Sequence, residues 1–212
     1  MIFEQIATGG DRNFGYLIGS EQDHVAAVID PSYTPDVFIE RAQASGLKIV
    51  YIICTHSHGD HVNGNDVVQE KTGAQVVMYK DAAYLFDIGM DDGDTLQLGV
   101  LTLRFIHTPG HIADGMCILV ENKLITGDTL FVGKVGGTDF GQGAREQYDS
   151  LHRLMQLDEG IEVYPGHDVG AMPHSTIGDE KRHNPFLLQP SFEAFVDLKR
   201  NWAEYKKQHG IP

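Results

Sequence analysis

Three imidazoles and a carboxylate fall within six residues of this chain, His56-Ser57-His58-Gly59-Asp60-His61. They follow the apolar run Ile49-Val50-Tyr51-Ile52-Ile53-Cys54, long enough for a buried strand. A strand that stops at such a string delivers its side chains to the lip of a sheet. Neutral imidazoles and carboxylates suit zinc, iron or manganese, and so dense a cluster has few other physical uses. In an extended segment alternate side chains point the same way, so His56 and His58 face one ion together. Asp60 and His61 follow where the chain turns into a helix, and they point elsewhere. That arrangement suits two adjacent ions better than one, each with about three or four protein ligands and an open position.

More ligands must come from other loops, and three residues stand in matching contexts. His111 follows the run Leu101 to Ile106 and a Pro-Gly turn, Asp128 follows Leu124-Ile125-Thr126-Gly127, and His167 follows Val163-Tyr164-Pro165-Gly166. Each sits just past an apolar run that reads as a strand, and loops at one sheet edge converge whatever their separation in sequence. The other expected strands are Met1 to Ile6, Phe14 to Ile18, Val25 to Ile29, Gln75 to Tyr79 and a Met116–Val120/Lys123–Thr126 hairpin. Expected helices run from Asp36 to Ser45 behind Pro35, from the histidine loop to about Lys71, from Ala144 to Gln156, and as one tail helix over about 191–208. The reading is one domain, 1–212, of mixed sheet and helix. The tail aromatics suit packing within the chain or across a dimer, so the oligomeric state stays open.

Composition is that of an ordinary globular protein, with 42% apolar and 22% charged residues. A net charge of −14 argues against a nucleic-acid groove and against binding anionic membranes. Cys54 and Cys117 both lie inside apolar runs and read as buried core thiols, which fits a reducing, cytoplasmic setting. The first residues carry no basic or long apolar leader, and no window approaches the roughly 20 apolar residues of a membrane span.

Together, His56-x-His58-x-Asp60-His61, His111, Asp128 and His167 resemble the ligand pattern of the metallo-β-lactamase superfamily, from the first strand to about Leu188. The resemblance implies an α/β fold, a four-layer αβ/βα sandwich with the site at one edge of two facing sheets. It implies that His56, His58 and His111 hold one ion, and that Asp60, His61 and His167 hold a second, with Asp128 bridging. Two divalent ions are expected, zinc foremost, with iron and manganese also open to these ligands. Three strings are similar to the glyoxalase II and persulfide dioxygenase branch: Gly127-Asp128-Thr129-Leu130-Phe131, Gly137-Thr138-Asp139-Phe140-Gly141-Gln142-Gly143 and Ser175 through Pro185. The last matches short bacterial glyoxalase II-like hydrolases, and the lack of a long helical extension also points to that form.

Three places depart from that pattern. Gly137 stands where such enzymes place a basic residue used on glutathione, and Val135 stands where a cysteine is common; Lys134 is the nearest replacement. After His111 the chain reads Ile112-Ala113-Asp114-Gly115 rather than Thr-Pro-Gly. The expected reaction is attack of a metal-bridging hydroxide on a thioester, a glutathione thioester among the small-molecule substrates, with Asp60 and Asp128 as catalytic carboxylates. The alternative is a mononuclear iron persulfide dioxygenase, with His56, His111 and Asp128 as a two-histidine, one-carboxylate triad. A non-catalytic zinc-binding protein is the third reading; structural zinc is normally closed by cysteines in paired spacing, which this chain lacks. Substrate contacts are sought at Lys134, Arg145, Tyr148 and His183. His107 is expected near the site, and Asp30 as the organiser of a turn or the hydrogen-bond partner of a ligand.

Overall fold

The computed structural model describes residues 1–211; Pro212, the last residue of the expected domain, lies outside them. The first half of the chain forms β1 (Ile2–Gly9), β2 (Asn13–Ser20), β3 (Val25–Ile29), α1 (Pro35–Ala44) and β4 (Lys48–Ile53). It continues with α2 (Gly59–Val62), α3 (Asn65–Thr72), β5 (Gln75–Tyr79) and β6 (Ile88–Met90). Its six strands make one sheet in sequence order, antiparallel through β3 and parallel from β3 to β6.

The second half forms β7 (Thr95–Leu98), β8 (Leu101–His107), β9 (Met116–Val120), β10 (Lys123–Gly127), β11 (Leu130–Phe131), β12 (Lys134–Val135) and α4 (Gln142–Leu154). Then come β13 (Glu162–Pro165), β14 (Ser175–Thr176), α5 (Ile177–His183), α6 (Phe192–Arg200) and α7 (Trp202–His209). The second sheet has the order β14-β13-β10-β9-β8-β7, and β11 and β12 pair as a small ribbon.

Three apolar cores define four layers. Tyr16, Ile18, Ile29, Ile53, Phe105, Ile118 and Ile125 interlock between the sheets. Leu17, Val28, Ile52 and Val76 meet Phe38 and Ala42 of α1 and Val68 of α3 on one outer face. Ile106, Leu124 and Val163 meet Leu151 of α4 and Phe195 of α6 on the other. The central strands are buried on both faces, which is why they read as continuous apolar runs instead of alternating ones. In β4 a bulge pairs Ala26 with Ile49 and Ala27 with Tyr51, skipping Val50 and turning Ile49 and Ile52 to the same face. Cys54 and Cys117 are buried and free, and no helix of the described residues is long and apolar enough to cross a membrane.

One expectation is corrected, and two strands are added. The single tail helix is broken at Asn201, whose φ of −104° and ψ of 15° leave helical geometry. Its Nδ2 donates to the Asp197 carbonyl at 2.9 Å, so a short polar side chain competes for the acceptor that a continuous helix needs. Trp202, at the start of α7, is turned against the Phe186 ring, 4.7 Å between centroids. The short strands β6 and β7 were not foreseen because they carry too few apolar residues to signal a strand.

Candidate metal centre

The carboxyl ends of β3, β4, β8, β10 and β13 open on one edge of the sandwich, and the seven foreseen ligands follow four of them. The edge is closed by a main-chain bond between the sheets, Met116 N–H to Thr55 O at 2.8 Å. Three groups of donor atoms lie within 4.8 Å of one another: His56, His58 and His111; His56, His61 and Asp128; and Asp60, His61 and His167. His58 Nδ1 is 3.1 Å from His56 Nε2 and 3.0 Å from His111 Nε2. On the other side His61 Nε2 is 3.2 Å from His167 Nε2 and 3.6 Å from Asp60 Oδ2. Asp128 lies between the two groups: Oδ2 is 3.4 Å from His111 Nε2 and 3.3 Å from His167 Nε2, and Oδ1 is 3.4 Å from His61 Nε2.

Surrounding residues fix which ring nitrogen faces inward. Asp30 is 1% exposed and holds a left-handed φ of 47° at the end of β3, a conformation aspartate tolerates. Its Oδ1 accepts from Thr55 N at 2.8 Å, and its Oδ2 from Thr55 Oγ1 at 2.6 Å and His61 Nδ1 at 2.9 Å. The Thr55 hydroxyl gives its proton to Asp30, so toward His56 Nδ1, 3.0 Å away, it acts as acceptor. His111 Nδ1 donates to the Gly137 carbonyl at 2.7 Å, and His167 Nδ1 to the Asp11 carbonyl at 2.9 Å. Four imidazoles thus aim Nε2 at one space, each with Nδ1 already engaged outside it. Asp60 is steered by Asn13 Nδ2, which donates to its Oδ2 at 3.0 Å.

Lone pairs this close repel unless a cation or proton lies between them. Asp128 Oδ1 is buried with no hydrogen-bond partner, an acceptor that a cation would satisfy. Burial and His61 hold the His56 imidazole well below its usual range, and burial holds His111 low. For His61 burial acts downward too, but Asp30, Asp128 and Asp60 outweigh it and lift the ring to about 9. Burial raises the Asp128 carboxyl, yet His167, His61 and His56 bring it far below the ordinary carboxylate range. This donor set fits divalent cations. A cation and the His61 proton compete for the same atom, and although burial lowers His167, Asp128 outweighs it and raises that ring too, so binding is expected to expel one proton or more at pH 7. Calorimetry of zinc addition in buffers of different ionisation enthalpy measures that number, and His61's share should vanish near pH 10.

The other foreseen residues divide. Lys134 and His183 line a cavity of about 720 Å³ with Val169, Met172 and Ile211, apart from the donor groups. Arg145 and Tyr148 face α6 instead of the donor cluster: the Arg145 guanidinium lies 3.5 Å from the Phe192 ring centroid, and Tyr148 packs on Phe192 and Phe195. His107 stacks on Tyr79 and donates to the Ala113 carbonyl, touching no candidate ligand. Asn13, Gly137 and Asp11 were not anticipated; two act through main-chain carbonyls, which carry no residue-type signal. Gly136 is tied to the site by space, since a Cβ there would stand 1.9 Å from the Asp128 carbonyl oxygen.

A family model described as the Metallo-beta-lactamase superfamily matches residues 8–167. The chain is 32% identical over 210 residues to the "Probable polyketide biosynthesis zinc-dependent hydrolase PksB" of Bacillus subtilis, covering 95% of this chain and 92% of that one. It is 38% identical to a hydroxyacylglutathione hydrolase of Anaeromyxobacter dehalogenans over 81% of this chain and 67% of that one. Identity to the human persulfide dioxygenase ETHE1 is 31%, covering 89% and 76% of the two chains. The crystal structure of ETHE1 from Myxococcus xanthus superposes with a TM-score of 0.90 at 34% identity, covering 95% of this chain and 91% of that one. With the four-layer fold and the donor groups at its edge, these similarities make the chain a member of the metallo-beta-lactamase superfamily.

Proposed function

We propose that this protein is a metal-dependent thioester hydrolase of the glyoxalase II kind. The observation that carries the reading is the Asp128 carboxylate, placed between two histidine groups with one buried oxygen unpaired. That placement supports a bridging ligand and hence two ions, His56, His58 and His111 holding one and Asp60, His61 and His167 the other. Zinc is the first candidate, and the zinc-dependent hydrolase among its relatives supports it. Such a pair, when bound, lowers the pKa of a shared water and polarises a carbonyl.

The chain's own residues do the rest. Asp60, about one-third exposed and held by Asn13, turns a carboxylate oxygen toward the site, where it orients the attacking water and accepts its hydrogen bond. The Nε2-inward tautomers, set by Thr55, Asp30, Gly137 and Asp11, keep the cluster arranged before substrate arrives. A thiolate leaving group needs no general acid. The 720 Å³ cavity bearing Lys134 and His183 is a place for the carrier or acyl chain.

The persulfide dioxygenase reading is favoured by a different observation, the close superposition on ETHE1 from Myxococcus xanthus; of its two histidines and carboxylate, His56 shares one donor group with His111 and another with Asp128, and Asp128 Oδ2 lies 3.4 Å from His111 Nε2. Elemental analysis of protein made without added metal, with assays on the same sample, separates the two. Nearly two zinc ions per chain with cleavage of S-lactoylglutathione supports the hydrolase. About one iron per chain, with oxygen uptake on glutathione persulfide and no thioesterase activity, overturns it.

A further inference from the structure

Lys199, on the tail helix α6, is a half-buried ammonium that forms no ion pair among the described residues. Its stem lies among apolar neighbours, with Nζ 5.3 Å from the Phe195 ring centroid and 5.9 Å from that of Phe186. A methionine or leucine would fill that space without the cost of a desolvated charge. What the charge adds is two hydrogen bonds: Nζ donates to the Gly136 carbonyl at 2.9 Å and to Gln147 Oε1 at 2.6 Å.

Both acceptors lead to His111. Gln147 of α4 is fully buried, and its Nε2 donates to the same Gly136 carbonyl at 3.0 Å. The next residue, Gly137, supplies the carbonyl that accepts from His111 Nδ1. A Cβ on Gly136 would also stand 3.1 Å from His111 Nδ1, so this loop runs against the ring itself. The other approach to His111 is clamped by the same helix: Gly110 abuts the Gln147 backbone, and Ser150 Oγ donates to the Pro109 carbonyl at 2.8 Å.

We infer that Lys199 is a positioning residue for the metal centre: through Gln147 and the Gly136–Gly137 loop it holds His111 in the orientation that presents Nε2 to an ion. The inference rests on His111 being a metal ligand, as in the proposed function. It makes the C-terminal helix a working part of the site in addition to a packed cover.

The test measures zinc affinity by competition with a chromogenic chelator, and the visible spectrum of the cobalt(II)-substituted protein. Lys199→Met is expected to weaken one ion by about tenfold or more, in the range of lost orienting partners, and to shift the cobalt bands. Emission from Trp202, the chain's single tryptophan, should stay unchanged, showing that the tail remains docked. Lys199→Arg, which keeps donors at the position, should recover most of the affinity. Val196→Ala, a more deeply buried α6 change with no hydrogen bond to the loop, should lower the unfolding midpoint and leave zinc affinity intact. Zinc affinity within twofold of the parent in Lys199→Met, or an equal loss in Val196→Ala, overturns the inference. Should Lys199→Met not fold, Gln147→Met removes the other donor to Gly136 and is judged by the same criterion. A His111→Ala protein that binds two zinc ions as tightly as the parent refutes the ligand assignment itself, separately from the role of Lys199.

Discussion

Asp128→Asn is expected to lower turnover roughly a thousandfold, equivalent to about 4 kcal/mol of transition-state stabilisation, and to leave fewer than two ions per chain. The substitution keeps the side-chain volume and removes the charge, so it isolates electrostatics from packing. In the wild type one carboxylate serves both groups, 3.4 Å from His111 on one side and 3.3 Å from His167 on the other. An amide offers a neutral oxygen to one side and an NH2 to the other, and the NH2 cannot ligate a cation. With one ion lost, a water held between two ions would lose much of its acidity, and the rate would fall with it. Elemental analysis and the hydrolysis rate on one sample check both halves of the expectation. Retention of two ions and the full rate would eliminate Asp128 as the bridge.

Asp30→Ala carries the largest expected effect on stability. The carboxylate is buried and accepts from three donors, two on Thr55 and one on His61. Removing it strands all three in the interior and puts alanine at a left-handed φ of 47°. A loss of roughly 3–5 kcal/mol is expected, the usual result of deleting one partner of a buried charged pair, together with a tenfold to hundredfold loss of metal affinity.

The stability effect has a defined pH dependence in the metal-free protein. His61 titrates higher in the folded chain, about 9, than in the unfolded one, about 6.5. The pairing with Asp30 therefore stabilises fully below about pH 6.5, and the benefit fades as pH rises through about 9. Urea unfolding of metal-free wild type and Asp30→Ala at pH 6.5 and pH 10 should show a smaller difference at the higher pH. An equal difference at both would mean that the hydrogen bonds to Thr55 carry the whole effect. Asp30→Asn, which tolerates the same φ, separates charge from backbone strain.

How much was legible before folding differs residue by residue. The string His56 through His61 announced itself because no common structural role gathers three imidazoles and a carboxylate behind an apolar strand. His111, Asp128 and His167 were legible through position, each just past a strand, alternating in β8 and more continuously apolar in β10 and β13. Arg145 and Tyr148 show the converse. Their neighbourhood in sequence suggested a substrate, but the rotation of α4 turns them onto Phe192 and Phe195 of a helix more than forty residues away. The tail helix was anticipated as one piece because apolar spacing does not register an asparagine that caps its own turn.

By itself the sequence determined a domain of mixed sheet and helix and the identity of the metal-binding candidates, because these depend on residue type and on periodicities a single strand or helix imposes; the four layers were expected only through the family that the ligand pattern resembles. Tertiary structure alone decided how the candidates divide between two groups, and that Asp128 stands between them. It decided which imidazole nitrogen faces inward, through Asp30, Thr55 and two main-chain carbonyls. It also brought Lys199 to bear on His111 through a glycine loop. The reason is physical: main-chain carbonyls are the same in every residue, and contacts across tens of residues exist only once the layers have packed.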